Sequence, residues 1–138
     1  MLVLDPFLSK EWKADFISNQ PEKFMAVVRR SNTCGIFVDE CGGWCRTHER
    51  DIEWLATISR HFGMNCHFIT QRAAQISPTI RTQCENIILF KQGFQDTKYL
   101  VQEFVAAELE AAQTLNKGEY LSKCGVDGAV KRFNAFLN

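Results

Sequence analysis

The stretch "GIFVDECGGW", residues 35–44, decides the fold class of this chain. An apolar, strand-forming run ends there in two adjacent carboxylates, Asp39 and Glu40. The run has no polar alternation, which is typical of a strand covered by helices on both faces. We therefore predict a buried strand that carries both carboxylates to the edge of a sheet, where Gly42 and Gly43 let the backbone turn.

Strand and helix signals alternate along the rest of the chain. The predicted strands are residues 2–5, 34–38, 65–70 and 86–90. Three helices are predicted to begin near Pro21, Glu49 and Pro78. A fourth, long helix is predicted after the last of these strands, with Asp96 as its cap. Gly63 is expected to end the second helix. Segments 119–124 and 129–136 predict a hairpin. The pattern indicates an α/β fold over residues 1–138 as a single domain, with a mainly parallel sheet, helices on both faces and a C-terminal β-hairpin.

Composition excludes several classes of protein. The 138 residues are 46% hydrophobic, which is enough for one core, and 16 Lys and Arg balance 16 Asp and Glu. No net field would attract the chain to nucleic acid or to an anionic membrane, so any DNA contact must be local. No apolar run is long enough to span a bilayer, and residues 1–10 do not resemble a signal peptide. We expect a cytoplasmic protein.

Six cysteines raise the questions of disulfides and of metal. They lie mostly in apolar segments of a chain without an export signal, which favours reduced, buried thiols. Zinc bound by Cys41, Cys45 and His48 is an alternative, since the ligand types suit that ion. The spacing is compressed, however, and no fourth ligand is evident.

Polar side chains follow two of the predicted strands. Because the carboxyl ends of parallel strands meet at one edge of a sheet, Gln71, after the strand "NCHFIT", should lie near Asp39 and Glu40. One carboxylate could hold the hydration shell of a magnesium ion and the other could orient or deprotonate a water. The alternatives are a solvated acidic turn at 39–40 and an ordinary polar loop residue at Gln71.

A family resemblance covers about residues 34–92. The segments "GIFVDE", "DIEWLATISRHFG", "NCHFITQR" and "ISPTIRTQCENIILFKQ" resemble, in order and spacing, the Walker B to sensor region of additional-strand P-loop ATPases. They are most similar to the FtsK/HerA superfamily of DNA pumps, which includes phage and viral DNA-packaging ATPases and zonula occludens toxin-like phage proteins. "LVLDP", residues 2–6, is similar to the strand that follows the P-loop helix.

This resemblance implies roles for individual residues. Asp39 resembles the Walker B aspartate that holds magnesium, and Glu40 resembles the catalytic glutamate that polarises water. Gln71 resembles the sensor glutamine. The implied cofactors are ATP and Mg²⁺.

An arginine that acts on a neighbouring subunit is also implied. Arg60, just before the strand that leads to Gln71, matches the position of the family's arginine finger, and Arg72 and Arg81 are further candidates. From the residues alone, Arg60 would instead be a cation that complements a helix C-terminus. The resemblance implies a homo-oligomeric ring through which DNA, double- or single-stranded, is moved.

The P-loop itself is missing from the sequence. None of the eight glycines belongs to a G-x-x-x-x-G-K-[ST] motif, so these residues lack the phosphate cradle and its lysine. The prediction is therefore the C-terminal part of a DNA-translocating ATPase domain that lacks its P-loop strand, inactive alone; the alternative is a non-catalytic adaptor of the same fold. The absent strand is expected between those that lead to Gln71 and Asp39, which would leave a gap in the sheet.

Overall fold

The computed structural model describes residues 1–125 and 127–136. It divides into two compact units, of which the first comprises Met1–Gln71 and Gln75–Ile80 and the second Arg72–Ala74 and the residues from Arg81 onward. A four-stranded parallel sheet with helices lies in the first unit, and a three-stranded antiparallel sheet lies in the second. The α/β fold predicted from the sequence, with its C-terminal hairpin, is confirmed.

The sheet of the first unit has the strand order β2-β1-β3-β4, and all of its strands are parallel. Its strands are β1 (Leu2–Leu4), β2 (Phe16–Ser18), β3 (Gly35–Val38) and β4 (Asn65–Phe68). The helices are α1 (Pro21–Val28), α2 (Cys41–Thr47), α3 (Glu49–Thr57) and α4 (Pro78–Gln83), the last of which begins in this unit. The short β2 was not predicted, because polar residues surround it.

The prediction of a gap between the strands that lead to Asp39 and Gln71 was wrong. β3 pairs directly with β4, in register from Gly35 opposite Asn65 to Val38 opposite Phe68. A strand inserted between them would separate backbones that already share a hydrogen-bonded ladder. Among the described residues β4 is instead an edge strand of this sheet.

The core of the first unit lies on one face of its sheet. Alternate residues of β1 and β3 point to this face, where they meet the apolar sides of the helices. The largest fully buried side chains in this cluster are Phe24, Leu4, Ile36, Ile52, Leu55 and Ile80. On the other face, Phe37 stacks on His67 with ring centroids 4.3 Å apart, and Trp12 contacts Phe37.

A helix replaces the glycine turn predicted after the carboxylates. Glu40 takes a left-handed backbone conformation, with φ of 48°, and α2 begins at the next residue. Gly42 is needed for packing, because a Cβ there would lie 2.5 Å from the Cβ of Gln75. The helix predicted to end at Gly63 is shorter, because α3 ends at Thr57, and Gly63, with φ of 71°, ends the 3₁₀ turn that follows it.

The second unit is built on an antiparallel sheet with the order β5-β6-β7. Its elements are β5 (Asn86–Leu89), α5 (Phe94–Glu103), β6 (Glu119–Cys124) and β7 (Lys131–Asn134). The segment 86–90 was predicted for the parallel sheet, and this was wrong, because β5 pairs with β6. The hairpin of β6 and β7 is confirmed, although Val126 in its predicted turn lies outside the described residues.

The long helix predicted after Asp96 is shorter than expected. α5 ends at Glu103, Val105 has φ of 48°, and Leu109 belongs to a separate 3₁₀ helix. Asp96 is not a cap: it is buried in the first turn of α5 and accepts a hydrogen bond from the Ala74 N–H at 2.9 Å. None of the helices in residues 1–125 and 127–136 is long and apolar enough to cross a membrane.

Candidate functional site

The carboxyl ends of β1, β3 and β4 bring acidic and amide side chains together in the first unit. Asp39 directly follows β3, and its N–H donates to the Leu4 carbonyl at the end of β1, 2.8 Å away. β4 runs parallel to β3 on its other side, so Gln71 reaches the same edge of the sheet. This is the edge at which open α/β sheets bind their ligands.

Glu40 and Gln71 contact each other across this edge. The Gln71 Nε2 donates to the Glu40 Oε1 at 2.8 Å. Glu40 is held from the backbone side as well, because the Cys41 N–H that follows it donates to the Ile69 carbonyl at 2.8 Å. A left-handed conformation at a non-glycine residue costs roughly 1–3 kcal/mol and is enriched at functional sites. Glu40 is therefore positioned rather than free on a solvated turn.

Asp39 is half-buried behind that pair. Its Oδ1 accepts the Glu40 N–H at 3.0 Å, and the Trp44 Nε1 donates to its carbonyl at 2.9 Å. Burial raises the pKa of the Asp39 carboxyl, and the nearby charges of Asp5 and Glu40 raise it further, against the hydrogen bond from Glu40. An ionised carboxylate in this position is stabilised by a cation.

Asp5 is a third carboxylate at this edge, and sequence reasoning missed it. It is fully buried after β1, where its oxygens accept the N–H groups of Phe7 and Ser9, each at 2.7 Å. Burial acts to raise the pKa of Asp5, but these hydrogen bonds outweigh it and the pKa is lowered. The available signal was "LVLDP", a second apolar strand that ends in a carboxylate.

Comparisons with known proteins identify the fold. No protein-family model and no curated protein matches the sequence. The chain is similar to the genome-packaging NTPase B204 of Sulfolobus turreted icosahedral virus 2 in complex with AMPPCP, with a TM-score of 0.75, 15% identity, and coverage of 96% of this chain and 80% of that one. It is also similar to B204, the DNA-packaging ATPase of Sulfolobus turreted icosahedral virus, with a TM-score of 0.68, 16% identity, and coverage of 94% and 69%.

This chain has the fold of the B204 structures. The similarity confirms the P-loop NTPase-like architecture that the sequence resemblance implied. A second complex of the virus 2 enzyme, with ATP-gammaS, has a TM-score of 0.70 and 17% identity over 88% of this chain. At these identities the agreement concerns the fold, so the roles of Asp39, Glu40 and Gln71 depend on their geometry.

Arg60 lies away from the carboxylate edge of the sheet. It belongs to the 3₁₀ turn Ser59–Phe62 that precedes β4, whereas Asp39 and Gln71 follow the strands. Its side chain is exposed, and no ion pair holds it among residues 1–125 and 127–136. The structure thus brings Asp39, Glu40 and Gln71 together but leaves Arg60 at the amino-terminal end of the strands.

Arg72 and Arg81 have partners within the second unit. The Arg81 guanidinium makes two 2.6 Å hydrogen bonds to the Glu103 carboxylate and donates to the Ala73 carbonyl at 2.9 Å. Arg72 contacts the buried Asp96 at 3.2 Å. The Arg72 side chain is 61% exposed, whereas Arg81 is held between the Glu103 carboxylate and the Ala73 carbonyl, with a side chain only 10% exposed.

The proposed zinc ligands do not form a metal site in the part of the chain that the structure describes. Cys41 and Cys45 are buried on one side of α2 with their sulfurs 3.5 Å apart, whereas His48 lies 3.8 Å from Glu22. A hydrogen bond from Cys41 lowers the pKa of Cys45. No group of three His, Cys, Asp or Glu suited to a metal ion occurs among the described residues.

The described residues also offer few protein ligands for a magnesium ion at the carboxylate edge. Both oxygens of Asp5 accept backbone N–H groups, whereas Asp39 and Glu40 each have only one oxygen in a hydrogen bond among the described residues, which leaves the other oxygen of each to meet a ligand. Mg²⁺ is commonly bound through one or two carboxylates, with waters and substrate phosphates completing its shell. The donor set therefore fits Mg²⁺ carried by a nucleotide and does not fit a metal site made by protein ligands alone.

Proposed function

We propose that this chain supplies the Walker B to sensor part of an ATP-driven DNA-translocating or DNA-packaging motor of the FtsK/HerA type. The observation that carries the proposal is the contact of Gln71 with Glu40 beside Asp39, at the carboxyl ends of β3 and β4. The fold that this chain shares with B204, a DNA-packaging ATPase, supports the proposal.

Each residue of this group has a separate role in the proposal. Asp39 holds the hydration shell of Mg²⁺, and this ion, when bound, neutralises charge on the phosphates. Glu40 orients a water and accepts its proton, which general-base carboxylates do when they lie within hydrogen-bond reach. Gln71 can donate to Glu40 or to a phosphate, and it can accept from a water, so it couples the position of Glu40 to the nucleotide.

Arg60 is the proposed arginine finger, which would act on a neighbouring subunit in an assembled ring. Arg60 is exposed and has no ion-pair partner among the described residues, so its guanidinium is available to the nucleotide of a neighbouring subunit, where it would stabilise charge on the transferred phosphoryl group. The proposed assembly is a homo-oligomeric ring around DNA in the cytoplasm.

The phosphate cradle must come from outside these 138 residues. Backbone N–H groups and the lysine of a P-loop provide most of the contacts to the phosphates, and the sequence has no such motif. We propose that residues 1–138 are the C-terminal part of one P-loop domain, and that ATP and Mg²⁺ bind when a P-loop segment is joined to them.

The test is to measure ATP binding and DNA-stimulated hydrolysis by the 138 residues alone and by a longer polypeptide that also carries a P-loop segment. The proposal expects activity only from the longer polypeptide. The matched control replaces the lysine of the added P-loop by alanine, which should abolish activity. Micromolar ATP affinity of residues 1–138 alone would contradict the division of roles.

A non-catalytic adaptor of the same fold is the second candidate, and the missing P-loop favours it. An adaptor would bind a partner protein and would not need Glu40 or Gln71. A longer polypeptide that folds, carries an intact P-loop and still fails to bind ATP would support the adaptor.

A further inference from the structure

The second unit exposes an aromatic sheet surface that the nucleotide site does not use. Alternate side chains of its three strands point away from the core, because Leu89 and Leu121 on the opposite face are buried. Asn86 and Cys124 also point outward, and the six outward residues that we call the aromatic face are Ile88, Phe90, Tyr120, Ser122, Lys131 and Phe133. Ile88 in β5 is 65% exposed and Phe90, directly after the same strand, is 52% exposed, and two large apolar residues exposed side by side are a mark of a binding surface.

Three rings form a ladder across this surface. The centroids of Phe90 and Tyr120 are 5.6 Å apart at 45°, and those of Tyr120 and Phe133 are 5.3 Å apart at 20°. The ladder crosses from the end of β5 to β7, so ring surface is presented on all three strands. Exposed aromatic rings on a sheet are platforms on which unpaired nucleobases stack, independently of base identity.

Three lysines lie on or beside the aromatic face. Lys131 belongs to the aromatic face, and Lys91 and Lys117 line a depression of about 390 Å³ beside Phe90. None of these three lysines has an ion-pair partner among residues 1–125 and 127–136. No residue of the aromatic face is acidic, so the surface complements an anion.

The one carboxylate in the depression is already paired. Glu119 accepts from Arg132 at 2.6 Å and from the Asn116 N–H at 2.7 Å. The two lysines of the depression therefore keep their net positive charge next to the first ring of the ladder. This arrangement places a site for a phosphate beside a site for a base.

We propose that the aromatic face of the second unit binds single-stranded nucleic acid, with bases on Phe90, Tyr120 and Phe133 and phosphates near Lys91, Lys117 and Lys131. A second copy of this chain fits less well, because a two-fold pairing of the face would bring like charges together. The inference uses no residue of the nucleotide site, and it holds whether or not the chain takes part in ATP hydrolysis.

The experiment is a fluorescence anisotropy titration of the 138-residue chain with a dye-labelled oligothymidylate, without nucleotide and at several salt concentrations. Phe90→Ala and Phe133→Ala should each weaken binding roughly tenfold, since each removes one stacking surface. Phe90→Leu keeps the apolar character but not the ring and should weaken binding nearly as much. Lys131→Ala should lower the slope of log affinity against log salt by about 0.7.

Controls separate this surface from general effects. Phe7, 76% exposed, and Lys10 lie in the first unit, so Phe7→Ala and Lys10→Ala should bind like the parent. Circular dichroism and sedimentation identify variants that have lost the fold or changed their assembly. The preference for oligothymidylate over an acidic peptide of equal charge should shrink roughly tenfold in Phe90→Leu, since one of the three stacking surfaces is lost.

Three results would overturn the inference. They are a folded parent chain that does not bind the oligonucleotide at low salt, unchanged affinity in Phe90→Ala and Phe133→Ala, and an effect of these variants on self-association alone. Equal binding of the acidic peptide would point to a protein partner instead. None of these results bears on ATP hydrolysis, which is measured with the longer polypeptide, so the two proposals can fail separately.

Discussion

The Gln71 amide donates a 2.8 Å hydrogen bond to the Glu40 carboxylate, which joins the ends of two neighbouring parallel strands. Glu40 also has a left-handed backbone conformation, and this conformation sets the direction in which its side chain leaves the backbone. The pair therefore couples the proposed base to a neighbour that can also meet a phosphate. A nucleotide that recruits the Gln71 amide would release Glu40 to a water.

Gln71→Leu keeps the size of the side chain and removes this hydrogen bond. In the longer polypeptide that carries a P-loop, we expect ATP binding to change little and turnover to fall roughly 10²-fold, the scale of a misplaced catalytic group. Gln83→Leu, at an exposed position of α4, is the matched control and should turn over normally. Equal rates for the two variants would separate Gln71 from catalysis.

The ionised Asp39 carboxylate should lower the stability of the folded chain, although the proposed function requires it. The folded chain holds the proton of Asp39 more tightly than the unfolded chain, because burial and then the charges of Asp5 and Glu40 raise the pKa. The ionised group thus opposes folding at pH values above its raised pKa, and this cost disappears as the pH falls below the ordinary value of 3.8. Asp39→Asn should therefore raise the free energy of unfolding near neutral pH.

Urea unfolding of the 138-residue chain at a series of pH values measures this effect. The advantage of Asp39→Asn over the parent should shrink as the solution becomes acidic, whereas Glu11→Gln at an exposed position should show no such trend. In the longer polypeptide, the same Asp39→Asn variant should weaken magnesium-dependent ATP binding. A destabilised Asp39→Asn chain at neutral pH would show that the carboxylate has a structural partner.

The ion pair of Arg81 and Glu103 should matter for stability more than exposed pairs do. Their side chains are 10% and 17% exposed, so Arg81→Met leaves a poorly solvated carboxylate and should cost about 3 kcal/mol of unfolding free energy. Arg29→Met removes a pair with Asp51 that is 53% and 31% exposed, and it should cost about 0–1 kcal/mol.

Chemical denaturation of these two variants and of Arg81→Met/Glu103→Leu provides the comparison. The double variant removes both charges of the buried pair and should recover much of the lost stability. Similar costs for Arg81→Met and Arg29→Met would remove the case for a structural role of Arg81 and favour its role as an arginine finger.

The Arg60 assignment predicts complementation between subunits. Arg60→Ala in the longer polypeptide should leave ATP binding nearly intact and lower turnover, because the proposed partner of Arg60 is the nucleotide of a neighbouring subunit. Mixing Arg60→Ala with Glu40→Gln subunits should restore part of the activity, since some interfaces would contain both groups. Arg30→Ala, at another exposed arginine, is the control. Mixtures without recovery would argue against action in trans.

The sequence predicted the parts of the site that depend on local signals. Polar residues follow β3 and β4, and the carboxyl ends of parallel strands meet at one edge of a sheet, so Glu40 and Gln71 could be placed together. Asp5 was missed because its role depends on β1 lying beside β3, a pairing of segments more than thirty residues apart. The place of the missing strand was wrong for the same reason, since strand order is set by long-range contacts.

Predictions from glycine positions and from apolar runs were wrong where the structure depends on packing between distant segments. Gly42 was interpreted as a turn residue, but the close approach of Gln75 requires a glycine inside α2. β5 has the apolar run of a parallel strand, but its partner is β6, and Ile88 on its outer side remains exposed. Apolar content alone therefore did not distinguish a strand buried on both faces from one that keeps an exposed aromatic surface.

The most direct test of the proposed function is to measure ATP binding and single-turnover hydrolysis of Glu40→Gln in the longer polypeptide that carries a P-loop. Glutamine keeps the shape of Glu40 and much of its hydrogen bonding but cannot accept the proton of the water. We predict ATP affinity close to that of the parent and hydrolysis slower by roughly 10²–10⁴-fold, as is typical when a general base is lost. Hydrolysis at the parental rate would contradict the catalytic assignment of Glu40.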